Sequence, residues 1–313
     1  MKIENRPIQS QPSRLREASH RAAALPLVLW AIVFVSSLIV MATLWMSQRL
    51  EDESQASRLF RARQLALRGM AFGMHPAVSP GDPLLKSGDE DEEGYSVRIF
   101  NETGRINPNS VVNPENRELF RTLFASWDVP LDQADAAIDS LYDWVSEGEL
   151  PSLHGAKRAD YEALGLEGMP PNAPITNVRE MAYVLNLRDI LAQREGWQEF
   201  FTVWSTGKIN IRYASHDLLR DLGGLTDDEI ERLTTYILGP DGIIDTQDDG
   251  PLATIEDAIA VAGIPAARAG KLLDYFDVQG DIRRIESTGF CYGARYELSV
   301  IIVNNQPLAE EEE

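Results

Sequence analysis

The sequence predicts an α+β chain: a long N-terminal helix packed on a small antiparallel sheet, with a large inserted α-helical domain made of two helix-hairpin-like modules. Three observations carry that prediction. Ala22 to Met46 is a run without a single charged residue, and an amphipathic helical pattern follows it with no break. Strand-like runs lie far apart, at "YSVRIF" and close to the C terminus. Between them the string Gly-(Arg/Lys)-Ile-Asn occurs twice, each time ahead of a similar series of helical segments.

The uncharged run is 25 residues long. As a helix it extends about 37 Å, enough to cross a hydrocarbon core about 30 Å thick. A cleavable secretory signal has an apolar core of about 7–15 residues and ends in a small-residue site. This run is longer, and "WMSQRLEDE" after it offers no such site. Ahead of it, Lys2, Arg6, Arg14, Arg16 and Arg21 outnumber Glu4 and Glu17, so the short arm is the basic, cytoplasmic side and the bulk of the chain is exported. The expected division is a basic leader at 1–22 and an N-terminal helix at 23–75, of which 23–46 spans the membrane. Phe60, Leu67, Met70, Ala71 and Met74 fall on one helical stripe, which is expected to pack against the chain's own sheet. His75-Pro76 ends the helix. From Ala23 to Met74 it extends about 78 Å.

The whole chain has a formal charge of −20, and removing the basic leader makes the remainder more acidic still. Such a surface repels nucleic-acid phosphates and anionic headgroups, which argues against nucleic acid as a partner. The single cysteine, Cys291, cannot close an intramolecular disulfide, so stability rests on packing.

Along the exported part, "KSGDEDEEG" (86–94) reads as a solvated loop and "YSVRIF" as a half-buried strand. "NETG" (101–104) reads as the turn of a hairpin. Gly104-Arg105-Ile106-Asn107 then opens a segment with helical "ENRELFRTLFASW" and "DQADAAIDSLYDWV", an acidic loop, and "APITNVREMAYVLNL". Gly207-Lys208-Ile209-Asn210 opens a second, with helical "SHDLLRDL" and "TDDEIERLTTYIL", an acidic loop, and "GPLATIEDAIAVAGI". The modules cover about 104–190 and 207–275. Thr176, Ser215 and Thr254 read as helix N-caps, Thr254 with Asp257 in capping-box spacing. The final stretch holds two strands around a Gly-containing turn, giving core strands at 95–110 and 280–304 around an insertion at 111–279. The acidic tail, 305–313, is expected to be disordered.

Catalytic patterns are absent. Ser215-His216-Asp217 are adjacent on a helix and cannot form a nucleophile–base–orienter chain, so helix capping explains them. His20, His75, His154 and His216 lack paired zinc spacing, and no Gly-rich loop precedes a Lys-Ser/Thr helix. No enzymatic activity is expected. One cluster points to a ligand: in "GPDGIIDTQDDG" Asp241, Asp245, Asp248 and Asp249 place hard oxygen donors at short spacing, which suits Ca²⁺ although the EF-hand pattern is missing. Asp143, Glu147 and Glu149 form a second acidic cluster.

The basic leader joined to "AAALPLVLWAIVFVSSLIV", then "GRINPN", "YDWVSEGE", "PNAPITNVREM", "GKIN…LLRDL" and "IESTGF…YELSVIIV" together resemble the K subunit of the type II secretion system, a minor pseudopilin. The resemblance covers most of the chain. It implies a pilin-like α/β core with a helical insertion, and a leader cut by prepilin peptidase between Ala22 and Ala23, with methylation of the new N terminus. The fifth mature residue of pilins is usually Glu; here it is Leu27, as is typical of K subunits, and a subunit lacking that carboxylate suits the fibre tip. Ala22 stands where Gly is commoner, and Ser146 where an Asp is commoner. The resemblance implies, as partners, other minor pseudopilins, the peptidase, the inner membrane and exported substrates, with the N terminus cytoplasmic and the C-terminal domain periplasmic. The rival reading is a membrane-anchored helix-hairpin-helix DNA receptor, because "DLGGLTDDEIERL" places Gly-Gly between short helices. Asp227, Asp228 and Glu229 directly after that turn oppose phosphate binding.

Overall fold

A single helix, α1 (Arg14–Gly73), carries the chain into its sheet, starting ahead of the expected boundary and taking in residues 14–22. The computed structural model describes the backbone of residues 14–89, 91–303 and 306–312, and the side chains of 26–46, 55–89, 91–303 and 306–308. The first part of the leader and the side chains of Ala22 and Ala23 lie outside the described residues. The chain divides into two units, Met1–Phe60 and Arg61–Glu313. In the first, every residue from Pro26 to Met46 is exposed. The second holds the last turns of α1 and everything after them.

After α1 come β1 (Lys86–Gly88) and β2 (Glu93–Asn101), then the insertion. The insertion runs through α2 (Pro114–Ser126), α3 (Leu131–Val145), α4 (Arg158–Glu162), α5 (Arg188–Leu191), β3 (Ile209–Asn210), α6 (His216–Asp221), α7 (Asp227–Leu238), α8 (Ile255–Ala262), α9 (Gly270–Tyr275) and β4 (Phe276–Asp277). The chain returns as β5 (Ile282–Cys291), β6 (Ala294–Val303) and β7 (Gln306–Glu312). The main sheet has strand order β1-β2-β5-β6-β7, antiparallel throughout.

Four expectations are corrected here. The charge run is not simply a loop: Lys86–Gly88 forms β1 and pairs with β2. Residues 101–104 do not close a hairpin. Glu102–Gly104 is a 3₁₀ turn that leads into the insertion, and the strand paired with β2 on its other side is β5, with Tyr95 opposite Gly289. The acidic tail is ordered as β7, which pairs along β6 and satisfies backbone groups that an edge strand leaves open. The helical cap near Thr176 belongs to Asn177. Its side chain accepts from Arg179 N, and Glu180 accepts from Asn177 N at 2.9 Å and from the Thr176 hydroxyl at 2.7 Å.

The apolar stripe read from the sequence is also not the face that packs. Phe60, Leu67, Ala71 and Met74 are exposed and only Met70 of that set is buried. The buried line is Ala62, Ala66, Gly69, Met70 and Gly73. Small residues win because they let the helix backbone approach the sheet closely, whereas the bulky stripe would hold it away.

Two apolar cores form among the described residues, and the two modules share one of them. Ala66, Met70, Tyr95, Val97, Ile285, Leu298 and Val300 make the small core between helix and sheet. One continuous cluster runs from Phe120, Phe124 and Trp144 in the first module to Leu218, Leu233 and Phe276 in the second.

Candidate functional site

The apolar segment Pro26–Met46 is a helix of 21 residues with the length and composition to cross a membrane. Two of its hydroxyls bond to backbone carbonyls within it. Ser37 Oγ donates to Val33 O at 2.8 Å, and Thr43 Oγ1 lies 3.0 Å from Ile39 O and 2.8 Å from Val40 O. Neither hydroxyl therefore faces lipid unpaired. Leu27, the position expected to matter for assembly, is 71% exposed.

Where the helix meets the sheet, the approach is close enough to exclude a methyl group. A Cβ on Gly289 would lie 1.9 Å from Ala62 O, and one on Gly69 would lie 2.5 Å from Ser287 Oγ. Ser287, fully buried, donates to Ala66 O at 2.7 Å, a sheet side chain bonded to the helix backbone. Arg61 pairs with Glu93 at 2.6 Å, and Cys291 Sγ lies 3.5 Å from the same carboxylate. The hydrogen bond from Arg61 holds Glu93 below the usual carboxylate range. Of these residues, the glycine within the strand run was the legible signal, since glycine there marks close backbone approach.

The neck of the insertion is tied to the sheet by charge. Glu102, 2% exposed, pairs with Arg284 of β5 at 2.8 Å and with Arg105 at 3.5 Å. Immediately beyond it the repeated motif takes the same form twice. Ile106 pairs in parallel with Phe201, and Ile209 with Phe276, so the end of each module closes on its own opening strand. Asn107 Nδ2 donates to Ser205 O at 2.7 Å while its Oδ1 accepts from Asn109 N at 2.9 Å. Asn210 Nδ2 donates to Gln279 O at 3.1 Å while its Oδ1 accepts from Arg212 N at 3.1 Å. The two motif glycines serve different ends. A Cβ on Gly104 would lie 2.3 Å from the backbone of Tyr213, where the two modules meet, whereas Gly207 adopts φ +86°.

The four aspartates weighed for Ca²⁺ share one loop, but their oxygens do not converge. Asp241 accepts from Ile243 N at 2.8 Å, and Asp248 accepts from the Thr246 hydroxyl at 2.7 Å and from Asp241 N at 3.1 Å. Asp249 pairs with Arg212 at 2.9 Å and accepts from Asp245 N at 2.8 Å. Asp245 accepts from Tyr213 Oη at 2.8 Å. Burial raises the pKa of Asp245, and burial, reinforced by that carboxylate, raises that of the Tyr213 phenol; the Thr246 bond lowers Asp248. Among the described residues no group of three or more His, Cys, Asp or Glu is placed to hold a metal ion. Backbone N–H groups, hydroxyls and a guanidinium hold each of these carboxylates within the loop. The second cluster is likewise dispersed: Asp143 is buried and bonded to Ser152, while Glu147 and Glu149 are exposed.

Ser215, His216 and Asp217 take the structural roles expected. Ser215 Oγ caps α6 by accepting from Leu218 N at 3.2 Å, and Asp217 pairs with Arg220 at 2.9 Å. His216 Nε2 lies 3.3 Å from Thr234 Oγ1. Helices α6 and α7 do form a hairpin around Gly223-Gly224. At the start of α7 the Thr226 side chain accepts from Glu229 N, Glu229 accepts from Thr226 N at 2.9 Å, and Arg268 pairs with Glu229 at 2.8 Å. Carboxylates thus stand where a phosphate would bind.

Residues 101–194 match the family model described as type II secretion system (T2SS), protein K. The match spans the neck and the first module. No curated protein matches the chain. The chain is similar to one in the crystal structure of the GspK-GspI-GspJ complex from the enterotoxigenic Escherichia coli type 2 secretion system. That likeness has a TM-score of 0.59 at 14% identity and covers 86% of this chain and 99% of that one. At this identity it shows the fold: a helix-backed antiparallel sheet interrupted by a helical insertion.

Proposed function

We propose that this chain, whose residues 101–194 match the type II secretion system protein K model, is a minor pseudopilin of that system and sits at the tip of the pseudopilus, where it initiates or caps assembly for export across the outer membrane. The observation that carries this reading is the protein K domain set between strands that belong to one sheet. Chain leaves β2 through Glu102 and returns to its side at β5 after the whole insertion, so the helical domain is a crown on a helix-backed sheet. The helix supplies the anchor and, after extraction from the membrane, the packing element of the fibre.

In this proposal the partners are other minor pseudopilins, as in the complex of GspK with GspI and GspJ, together with prepilin peptidase, the inner membrane and the exported substrates. The N terminus is cytoplasmic and the second unit periplasmic. Its part is mechanical rather than enzymatic. Leu27 supports the tip position, because a terminal subunit has no further N-terminal amine to neutralise.

The test is the mass and N-terminal sequence of the protein from its own membranes, with and without prepilin peptidase. The expected result is a chain beginning at Ala23 only when the peptidase is present. An intact Met1 under both conditions would reduce the helix to an anchor and overturn the assembly role.

A further inference from the structure

The loop between α3 and α4 is held by buried charge, and its exposed tip is apolar. Asp143, 1% exposed, accepts from Ser152 N at 2.9 Å and from Ser152 Oγ at 2.7 Å. One turn earlier on α3, Asp139 accepts from His154 N at 3.1 Å. Lys157, 4% exposed, ties the ends of the loop together: its Nζ donates to Asp143 O at 2.5 Å, Ser146 O at 3.0 Å and Asn172 Oδ1 at 2.8 Å. Between these anchors Leu150 and Leu153 are each 87% exposed, more than any large apolar side chain of the span Pro26–Met46.

Burying an ammonium is unfavourable unless every donor is met, and here three oxygens meet it. Apolar burial does not shape the tip, because both leucines face water. What the anchors achieve is order: the loop is organised before anything binds, so a partner need not supply the free energy of ordering it. Glu147 and Glu149, both exposed, set negative charge beside the leucines.

We infer that loop 146–157 is a docking prong for another protein, whose receiving surface is an apolar cleft rimmed by Lys and Arg. Charge selects among the possible occupants. A second copy would bring a chain of formal charge −20 against itself. An anionic lipid surface is repelled by Glu147 and Glu149, whereas a basic rim is attracted. The inference does not depend on the tip reading, since leader cleavage and fibre entry are measured separately from binding at this loop.

The experiment places a benzophenone amino acid at position 153 of the full-length chain in its own membranes, with Leu131, 67% exposed, as the control position. The adduct is identified by mass, and the purified partner is titrated against full-length protein in detergent. The expected result is a heterologous adduct at 153 and not at 131. Kd should rise about tenfold or more in L150S/L153S, as for central interface residues, and rise also in E147K/E149K, with the melting temperature unchanged. A self-adduct, a lipid adduct, no adduct, or a Kd unmoved by either double variant would each overturn the docking role.

Discussion

Asn107 and Asn210 make the same bonds in the two halves of the insertion. Each donates through Nδ2 to a carbonyl of the segment that closes its module, and each accepts through Oδ1 from the backbone N–H two residues on. The short parallel pairings beside them, Ile106 with Phe201 and Ile209 with Phe276, are held in place by these amides. A module is therefore closed by one side chain that needs both a donor and an acceptor.

Replacing either asparagine by aspartate keeps the acceptor and removes the donor. With Asn210 only 2% exposed, N210D should destabilise the second unit by about 2–4 kcal/mol, as expected for a buried charge facing a carbonyl. N107D should act in the same direction. Urea unfolding followed by tryptophan fluorescence measures both, and a change within about 0.5 kcal/mol of wild type would show that the bonds do not hold the module.

Gly289 sets how closely the helix lies on the sheet. G289V should lift the last turns of α1, because even a Cβ would lie 1.9 Å from Ala62 O. The expected cost is about 3 kcal/mol or more, typical of overpacking against backbone. Limited proteolysis of the full-length protein should then cut between residues 61 and 75 at a rate wild type does not show.

The Glu229–Arg268 pair should appear in the acid limb of stability. Thr226 N and Arg268 hold Glu229 below its ordinary value. A carboxylate with a lowered folded pKa contributes stability fully above its unfolded pKa, about 4.3, and loses that contribution as pH falls through the folded value. The difference between wild type and E229Q should be constant from about pH 5 to 8 and shrink below about pH 4. Urea midpoints across that range decide it; a difference that persists at low pH would remove the ion pair as its source.

Calcium would compete with protein donors for the 239–250 loop, since Arg212, Thr246 and backbone N–H groups bond to its carboxylates. Melting curves in excess Ca²⁺ and in EDTA should coincide. Specific binding at a hundredfold excess over Kd would instead add about 2.7 kcal/mol, which would show that the loop rearranges into a cage.

Leu27→Glu restores the carboxylate that this chain lacks. The substitution should be accepted in the membrane, at a cost of about 3 kcal/mol at most near the end of a span, yet disturb tip assembly. Unchanged secretion together with unchanged fibre composition would count against the tip role.

Local chemistry made much of this molecule readable in advance. The helices of both modules, the caps at Ser215 and Thr254 and the turn at Tyr292-Gly293 depend on residues near each other in the chain. The two asparagine motifs were legible as a repeat, though not as module closures. The docking loop was legible only as an acidic excursion: nothing in the order of residues says that Asp143 and Lys157 turn inward while Leu150 and Leu153 turn out.

By itself, then, the sequence determined where the main helices and the strands β2, β5 and β6 lie, the length of the apolar span and the presence of the insertion, because periodicity, charge and capping are short-range effects. The tertiary structure decided which face of α1 packs, that the partner of β2 is β5, that the tail becomes β7, and that the loop aspartates turn to N–H and guanidinium donors. Those outcomes depend on steric fit and on the pairing of buried polar groups between residues distant in the chain. Ala62 and Gly289 are read as small residues alone, and only their contact shows that size is what brings helix and sheet together.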